Sequence, residues 1–483
     1  MAENLKQKAA KGLIWKFLEQ GGTQFILFIS GIYIARILSP EDYGLVGMMA
    51  IFLGVSQIFI NSGFSTTLIQ KGKEVTHDHY NVVFIFNITV SSFLYFLIFI
   101  GAPSISDFYN EPRLLWVARI LGINLILSSF GLIHQTILQK RLNFKTLTKI
   151  KLVSVIVSVI VGIILAIEDY GVWALVMMTI SENLVRVILI SFINKWSPSF
   201  SFNTTIFKEL FSKGIAIFLA GLSKQITVNI FSVVIGKYFT TIDVGFYSQG
   251  KKLQTRITDF LNNSIQGVMY PVQSLMKADI LRLKNSVRKN VKITSLVIFP
   301  ASLGIIVIAN QFVEIFLTSK WLPSVYYLQI LAIASMFYVL RSSVGSFLMP
   351  LGKFRLVLYL GVFNSIFLLI LIVTGVLFDV RLELLILSKV IQEGFGLLAI
   401  SYFAKQHVKY SLKEMLSDFL PSLLLSMMMA IVVYLIGIKL EIKLFVLSLQ
   451  VLIGAGLFIL LNYFFNKKLF LEVLEIIKSL IRK

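Results

Sequence analysis

Apolar residues run through this chain in stretches of about twenty, each broken by a short charged loop. An α-helix needs about that length to cross the hydrocarbon core of a bilayer. The pattern predicts about fourteen spans, with cores at 12–37, 43–67, 80–101, 114–136, 147–167, 171–194, 211–236, 243–269, 290–312, 323–348, 356–377, 383–404, 415–437 and 443–464. A β-barrel would show alternating segments of about ten residues instead. Basic residues gather in every second loop: Lys71 and Lys73, then Lys140, Arg141 and Lys145, then Lys195 and Lys208, and so on to the C-terminus. The loops between them, such as Ser39–Asp42, Glu168–Asp169 and Thr240–Asp243, are short and poor in cations. Positive-inside bias then predicts that both termini are cytoplasmic.

One span breaks the apolar pattern. Gln249, Lys252, Arg256, Asp259, Asn263 and Gln266 recur at steps of three and four, which puts them on one helical stripe. An ionisable side chain in a bilayer costs roughly 2.5–3.5 kcal/mol on insertion scales, so such residues face a bundle interior or a wet cavity. A shorter polar stripe, Lys16, Gln20, Thr23 and Gln24 with Glu19 beside it, marks the first span.

The pattern also repeats. Ala35–Gly44 (ARILSPEDYG) matches Gly236–Gly245 (GKYFTTIDVG) in position, Asp42 with Asp243 and Gly44 with Gly245. Asn143-Phe144-Lys145 resembles Lys353-Phe354-Arg355 at a similar spacing. Six spans separate the copies, and an even number makes the repeat parallel, about an axis along the membrane normal. The expected fold is an all-α polytopic membrane protein with two six-helix lobes around a central cavity. The boundaries are an N-lobe at 1–200, a C-lobe at 201–410, two extra helices at 411–465 and an amphipathic tail at 466–483. In that tail Leu469, Phe470, Val473, Leu474 and Ile477 oppose Glu472, Glu475 and Lys483, as in a helix lying on the cytoplasmic leaflet.

Composition narrows the chemistry. Of 483 residues, 57% are hydrophobic and 14% charged. There is no cysteine, which excludes disulfides, thiolate metal sites and cysteine catalysis. His77 and His79 share a short loop, but no third or fourth ligand accompanies them, so neither metal nor cofactor is expected. The net charge of +21 would suggest nucleic acid on a soluble protein. Here it reads as cytoplasmic-loop lysine and arginine meeting anionic membrane lipid. The N-terminal segment is read as a retained helix, since no cleavage site follows a short apolar run.

The motifs Arg36–Gly44 (RILSPEDYG), Asp243–Gly250 (DVGFYSQG) and Leu138–Phe144 (LQKRLNF), in this order, resemble the multidrug/oligosaccharidyl-lipid/polysaccharide exporter superfamily. Within it the chain is similar to the polysaccharide transporter (Wzx-type) branch, of colanic-acid and teichuronic-acid exporter type. The resemblance covers nearly the whole chain. It implies a flippase of the bacterial inner membrane that carries a polyprenyl-diphosphate-linked glycan outward, without an enzymatic step. Other polysaccharide assembly proteins would be its partners.

A diphosphate headgroup needs cations in a wet cavity. Lys252 and Arg256 offer them, with Lys224 from the seventh span and Lys16 from the first. Arg119 and Arg341 stand as lone cations in the fourth and tenth spans, with cavity lining and helix packing both open. Asp259 and Glu19 are the candidates for sodium or proton coupling. Glu182 with Arg186, and Lys389 with Glu393, are four apart and read as intrahelical ion pairs. A cation-coupled multidrug or metabolite antiporter of the same superfamily is the nearest alternative, and it would want an acidic cavity. A membrane glycosyltransferase or polymerase would need a sizeable outer loop with catalytic carboxylates, and the outer loops are short.

Overall fold

The computed structural model describes all residues except 1, 62, 72–73, 200, 440–442, 468 and 472–483. The protein is almost wholly helical. The helices are α1 (Ala2–Ile37), α2 (Pro40–Asn61), α3 (Phe64–Gln70), α4 (His77–Tyr109), α5 (Leu114–Lys140), α6 (Phe144–Ile167), α7 (Val172–Ile193) and α8 (Thr204–Tyr238). They continue with α9 (Thr241–Leu275), α10 (Ile280–Phe316), α11 (Pro323–Val344), α12 (Phe354–Leu377), α13 (Leu382–Val408), α14 (Leu412–Lys439) and α15 (Lys443–Phe465). All except α3 have 22 residues or more, and each overlaps one expected span. Several are longer than the roughly twenty residues a crossing needs: the core expected at 80–101 lies within the 33 residues of α4.

Among the described residues eleven helices are long and apolar enough to cross a membrane, so this is a multi-pass membrane protein. The long helices outside that set are α1, α8 and α9. They hold Lys16 and Glu19, Lys224, and Lys252, Arg256 and Asp259, most of the side chains that the polar stripes singled out.

The chain forms two compact units, Met1–Gly245 and Phe246–Lys483, with the boundary one turn into α9. In the first, α4 packs on α5, α6 on α7 and α1, and α2 on α8. Phe64, Leu68, Val83, Phe84, Ile133, Ile137 and Leu210 form one of its buried clusters. In the second, α10 lies against α11 and α14, and α13 against α11 and α12. α12 is apolar all round, and Phe363, Ile366, Ile370, Val373 and Leu377 stay exposed along it, as expected of a lipid-facing helix.

Local chemistry explains where the helices begin. Asn143, Asn203 and Asp279 each accept a hydrogen bond from a first-turn N–H of α6, α8 or α10. Ser411 and Glu414 cap each other at the start of α14. The turn before α6 and the turn before α12 share a geometry. Leu142 and Gly352 are left-handed, and the next residue donates its N–H to Leu138 O at 3.0 Å and to Leu348 O at 2.9 Å respectively. Asp169 and Asp379, just past the ends of α6 and α12, are again both left-handed. The amphipathic helix expected in the tail lies almost entirely outside the described residues.

Candidate functional site

The cationic stripe begins from a built turn. Thr240 Oγ1 and N–H donate to Asp243 Oδ2 at 2.7 and 3.1 Å, and Asp243 N–H donates back to Thr240 Oγ1 at 3.1 Å. Ser39 and Asp42 do the same at the head of α2, at 2.7, 2.9 and 3.3 Å. Each is a reciprocal cap that satisfies N–H groups left over at a helix start. The two heads also meet. A Cβ built on Gly44 would overlap the carbonyl oxygen of Thr241, and one built on Gly245 would overlap that of Pro40. Pro40 and Thr241 are themselves repeat partners, so each copy presents its glycine to the other copy's carbonyl. Only glycine permits so close a backbone approach.

Beside this crossing, Arg113 donates to Glu111 Oε1 and Oε2 at 2.8 Å each and to Glu41 at 3.1 Å. Thr241 Oγ1 donates to Glu111 at 3.2 Å. The Arg113 hydrogen bonds hold the buried Glu111 carboxyl below its ordinary range, and burial works against them. The same bonds raise the Arg113 guanidinium.

Further along α9, Gln249 is buried and Lys252 and Arg256 are half-buried, close enough to feel each other's charge. Asp259 is exposed and acts electrostatically on Tyr338 of α11. Gln266 donates to Ser343 of α11 at 3.2 Å, and Gln273 to Ser346 at 2.9 Å. Lys251, off the stripe, lies within electrostatic reach of Lys389. The stripe therefore has an α11-bonded end and a cationic stretch. Asn263 lies on the helix, and its side chain is outside the described residues.

The other candidates have these surroundings. Arg341 Nε and Nη2 bond Glu393 Oε2 at 3.0 and 2.9 Å, while Lys389 bonds Glu393 Oε1 at 2.8 Å. Glu393 is 2% exposed, and its charge offsets Arg341 and Lys389 in part. Arg341 lines a cavity of about 430 Å³ with Gln266, Tyr338, Ser346 and Asn364. Arg119 donates to Phe99 O at 3.3 Å and stacks 4.5 Å from the Phe99 ring and 5.1 Å from Trp116. Lys16 pairs with Glu19 at 2.8 Å. Lys224 is exposed on α8. Lys16, Lys224 and Arg119 belong to the first unit, and Lys252, Arg256 and Arg341 to the second.

The helical spacing that pairs Lys389 with Glu393 holds, but it does not foretell Arg341, 52 residues away in sequence. Glu182 is bonded to Lys151 on α6, and Arg186 to Asn183. A second charged cluster joins the start of α10 to the start of α14. Arg288 grips Asp418 at 2.8 and 2.9 Å, Lys284 bonds Glu414 at 2.7 Å, and Tyr410 donates to Asp418 at 3.0 Å. Its signal was available: cations at 284, 288 and 292 match acids at 414 and 418, both at steps of four.

Known proteins fit this architecture. The lipid II flippase MurJ in an inward closed conformation superposes with a TM-score of 0.77, at 16% identity, covering 95% of this chain and 99% of that one. An inward-facing multidrug resistance MATE family transporter of the MOP superfamily gives 0.63, at 16% identity, over 80% and 94%. At these identities the likeness is one of fold. In sequence, the teichuronic acid biosynthesis protein TuaB of Bacillus subtilis (strain 168) is 28% identical over 309 residues, 63% of each chain. The match therefore spans slightly under two thirds of that relative. The lipopolysaccharide biosynthesis protein WzxC of Escherichia coli (strain K12) is 21% identical over 378 residues, 77% of this chain and 76% of the relative. Residues 33–326 match a family described as Polysaccharide biosynthesis protein, and this chain belongs to that family.

Proposed function

We propose that this protein is a flippase of the bacterial cytoplasmic membrane that moves a polyprenyl-diphosphate-linked oligosaccharide from the inner to the outer leaflet by alternating access. The observation that carries the reading is the cationic stretch of α9, where Lys252 and Arg256 sit half-buried one turn apart and within reach of each other's charge. A diphosphate is a polyanion suited to two adjacent cations, and a guanidinium can grip its oxygens in pairs where an ammonium acts as a point charge. The names of TuaB and WzxC support a glycan destined for the cell envelope, and the name of MurJ a lipid-linked one.

Fourteen crossings with both termini cytoplasmic follow from the basic loops. The headgroup is anionic and leaves a negative interior, so the membrane potential favours export by about 2.3 kcal/mol per charge per 100 mV. Asp259 and Glu19 are the carboxylates through which sodium or protons would couple. In the outward-facing state the paired heads of α2 and α9 would have to part. Lys224, Lys16, Arg119 and Arg341 complete the set of cations proposed to serve the headgroup, with Arg341 already partnered by Glu393.

A second reading, a cation-coupled antiporter, draws on the MATE-like fold and the exposed Asp259. Deletion separates the two. Loss of the flippase should leave lipid-linked oligosaccharide facing the cytoplasm and strip the corresponding glycan from the surface. A deletion strain with undiminished surface glycan and raised drug sensitivity would reject the flippase.

A further inference from the structure

A cavity with basic walls lies in the first unit. The start of α4, the end of α5 and the segment after α7 enclose a cavity of about 470 Å³. His77, Tyr80, Lys140, Arg141 and Trp196 line it, and no carboxylate does. We propose that this pocket binds a lipid-borne phosphate headgroup in the cytoplasmic leaflet.

The charge is available. Lys71, in the same region, is already neutralised, with Glu209 at 2.7 Å and His79 at 2.8 Å. Among the described residues Lys140 and Arg141 have no carboxylate partner. Among the described residues, Lys140 donates to the Tyr80 hydroxyl alone, at 3.4 Å, and lies 5.6 Å from that ring.

The walls are fixed before any ligand arrives. The His77 ring accepts from Asn81 at 2.8 Å and so presents its other N–H to Ser197 O at 3.2 Å. His77, Tyr80, Phe84 and His134 all pack against Trp196. Trp and Tyr favour the headgroup level of a bilayer, and basic pockets between cytoplasmic helix ends suit anionic headgroups.

The fold does not need these two cations. The turn before α12 has the same geometry as the one before α6, yet it carries Pro350 and Leu351 where this turn carries Lys140 and Arg141. Positive-inside bias would accept a lysine anywhere in the loop; here both cations wall a cavity.

The proposal shares the orientation of the proposed function but does not depend on transport. Two sources offer the same chemistry, an anionic phospholipid and the polyprenyl phosphate of a glycan carrier. The test measures the melting temperature of the purified full-length protein in phosphatidylcholine nanodiscs. Phosphatidylglycerol is titrated in one arm and undecaprenyl phosphate in the other, the latter in an Arg256→Ala background so that α9 does not report. Saturable stabilisation in either arm is expected and identifies the source. Lys140→Gln/Arg141→Gln should weaken it at least tenfold, while the charge-keeping Lys140→Arg/Arg141→Lys should retain it. Equal response of the neutralised and unaltered proteins, or no saturable response to either lipid, overturns the pocket and leaves the function of α9 untouched.

Discussion

α2 and α9 begin alike and continue differently. Both start from a Ser/Thr–Asp reciprocal cap, and both place a glycine four residues past the first helical residue against a carbonyl of the other's first turn. Beyond that turn the registers part. Where α9 has Lys252, Arg256 and Asp259, the same register of α2 has Ile51, Val55 and Ile58, and the position matching Gln266 is Ser65 on α3. The backbone frame is duplicated because caps and close helix crossings are set by a few short residues. The side chains further along are free of that constraint, and only one copy took up charge. The two helix heads are thus copies of each other, and the charge pattern beyond them is not.

The largest expected effect comes from erasing this difference at its centre. Arg256→Ala should abolish glycan export at unchanged membrane level, and Arg256→Lys should keep part of it, since charge survives and the fork does not. Moving the charge, with Val55→Arg added to Arg256→Val, should not restore export if the copies are not interchangeable. Surface glycan in a complemented deletion strain reads all three. Full export by Arg256→Ala would reduce the residue to helix packing.

Next come the glycines. Gly44→Leu and Gly245→Leu each drive a side chain into a backbone carbonyl that cannot yield without separating the helices. Both should lose most transport, and by similar amounts. The chain has no cysteine, so single cysteines can be introduced without background. An impermeant thiol reagent applied to intact cells should label Ser39→Cys and Thr240→Cys but not Lys409→Cys. Gly44→Ala should speed labelling at the first two. Labelling of all three, or of Lys409→Cys alone, would overturn the orientation.

The caps should give a smaller effect. Asp42→Ala and Asp243→Ala each remove an acceptor for two bonds at a helix start, worth about 0.5–2 kcal/mol. Near-equal losses in melting temperature would mark the two turns as energetic as well as geometric copies. A loss confined to Asp243→Ala would place the structural burden on α9.

How much of this was legible beforehand follows from the range over which each signal acts. Twenty-residue apolar runs announce helices because the bilayer allows backbone polar groups few other partners. The match of Ser39 and Asp42 with Thr240 and Asp243 was visible as a repeat, and capping is its physical content. Spacing within one helix shows which residues share a face, but not what that face meets. Lys389 and Glu393 therefore read correctly as a pair, while Arg341 joined them unannounced. Glu182 took Lys151 from the neighbouring helix for the same reason. In the sequence Lys140 and Arg141 are loop charge alone, because the cavity they wall is built from three segments and each is silent about the others.

The smallest effect is one of pH, and it tests the crossing from its rim. Glu111 belongs to no repeat, yet it ties Arg113 and Thr241 to the heads of α2 and α9. Its folded carboxyl titrates below the unfolded value of about 4.3. The unfolded chain therefore binds the proton first as pH falls. The stabilisation is complete above about pH 4.3 and is lost as pH drops through the lower folded value. Arg113 is half-exposed, so solvent screens the pair and the contribution should be under about 1 kcal/mol. Glu111→Gln should lower the melting temperature slightly at pH 7 and flatten its decline between about pH 5 and 3 relative to the unaltered protein. Parallel declines in the two proteins would mean that another carboxylate governs acid stability, with the Arg288–Asp418 and Lys284–Glu414 network the next to examine.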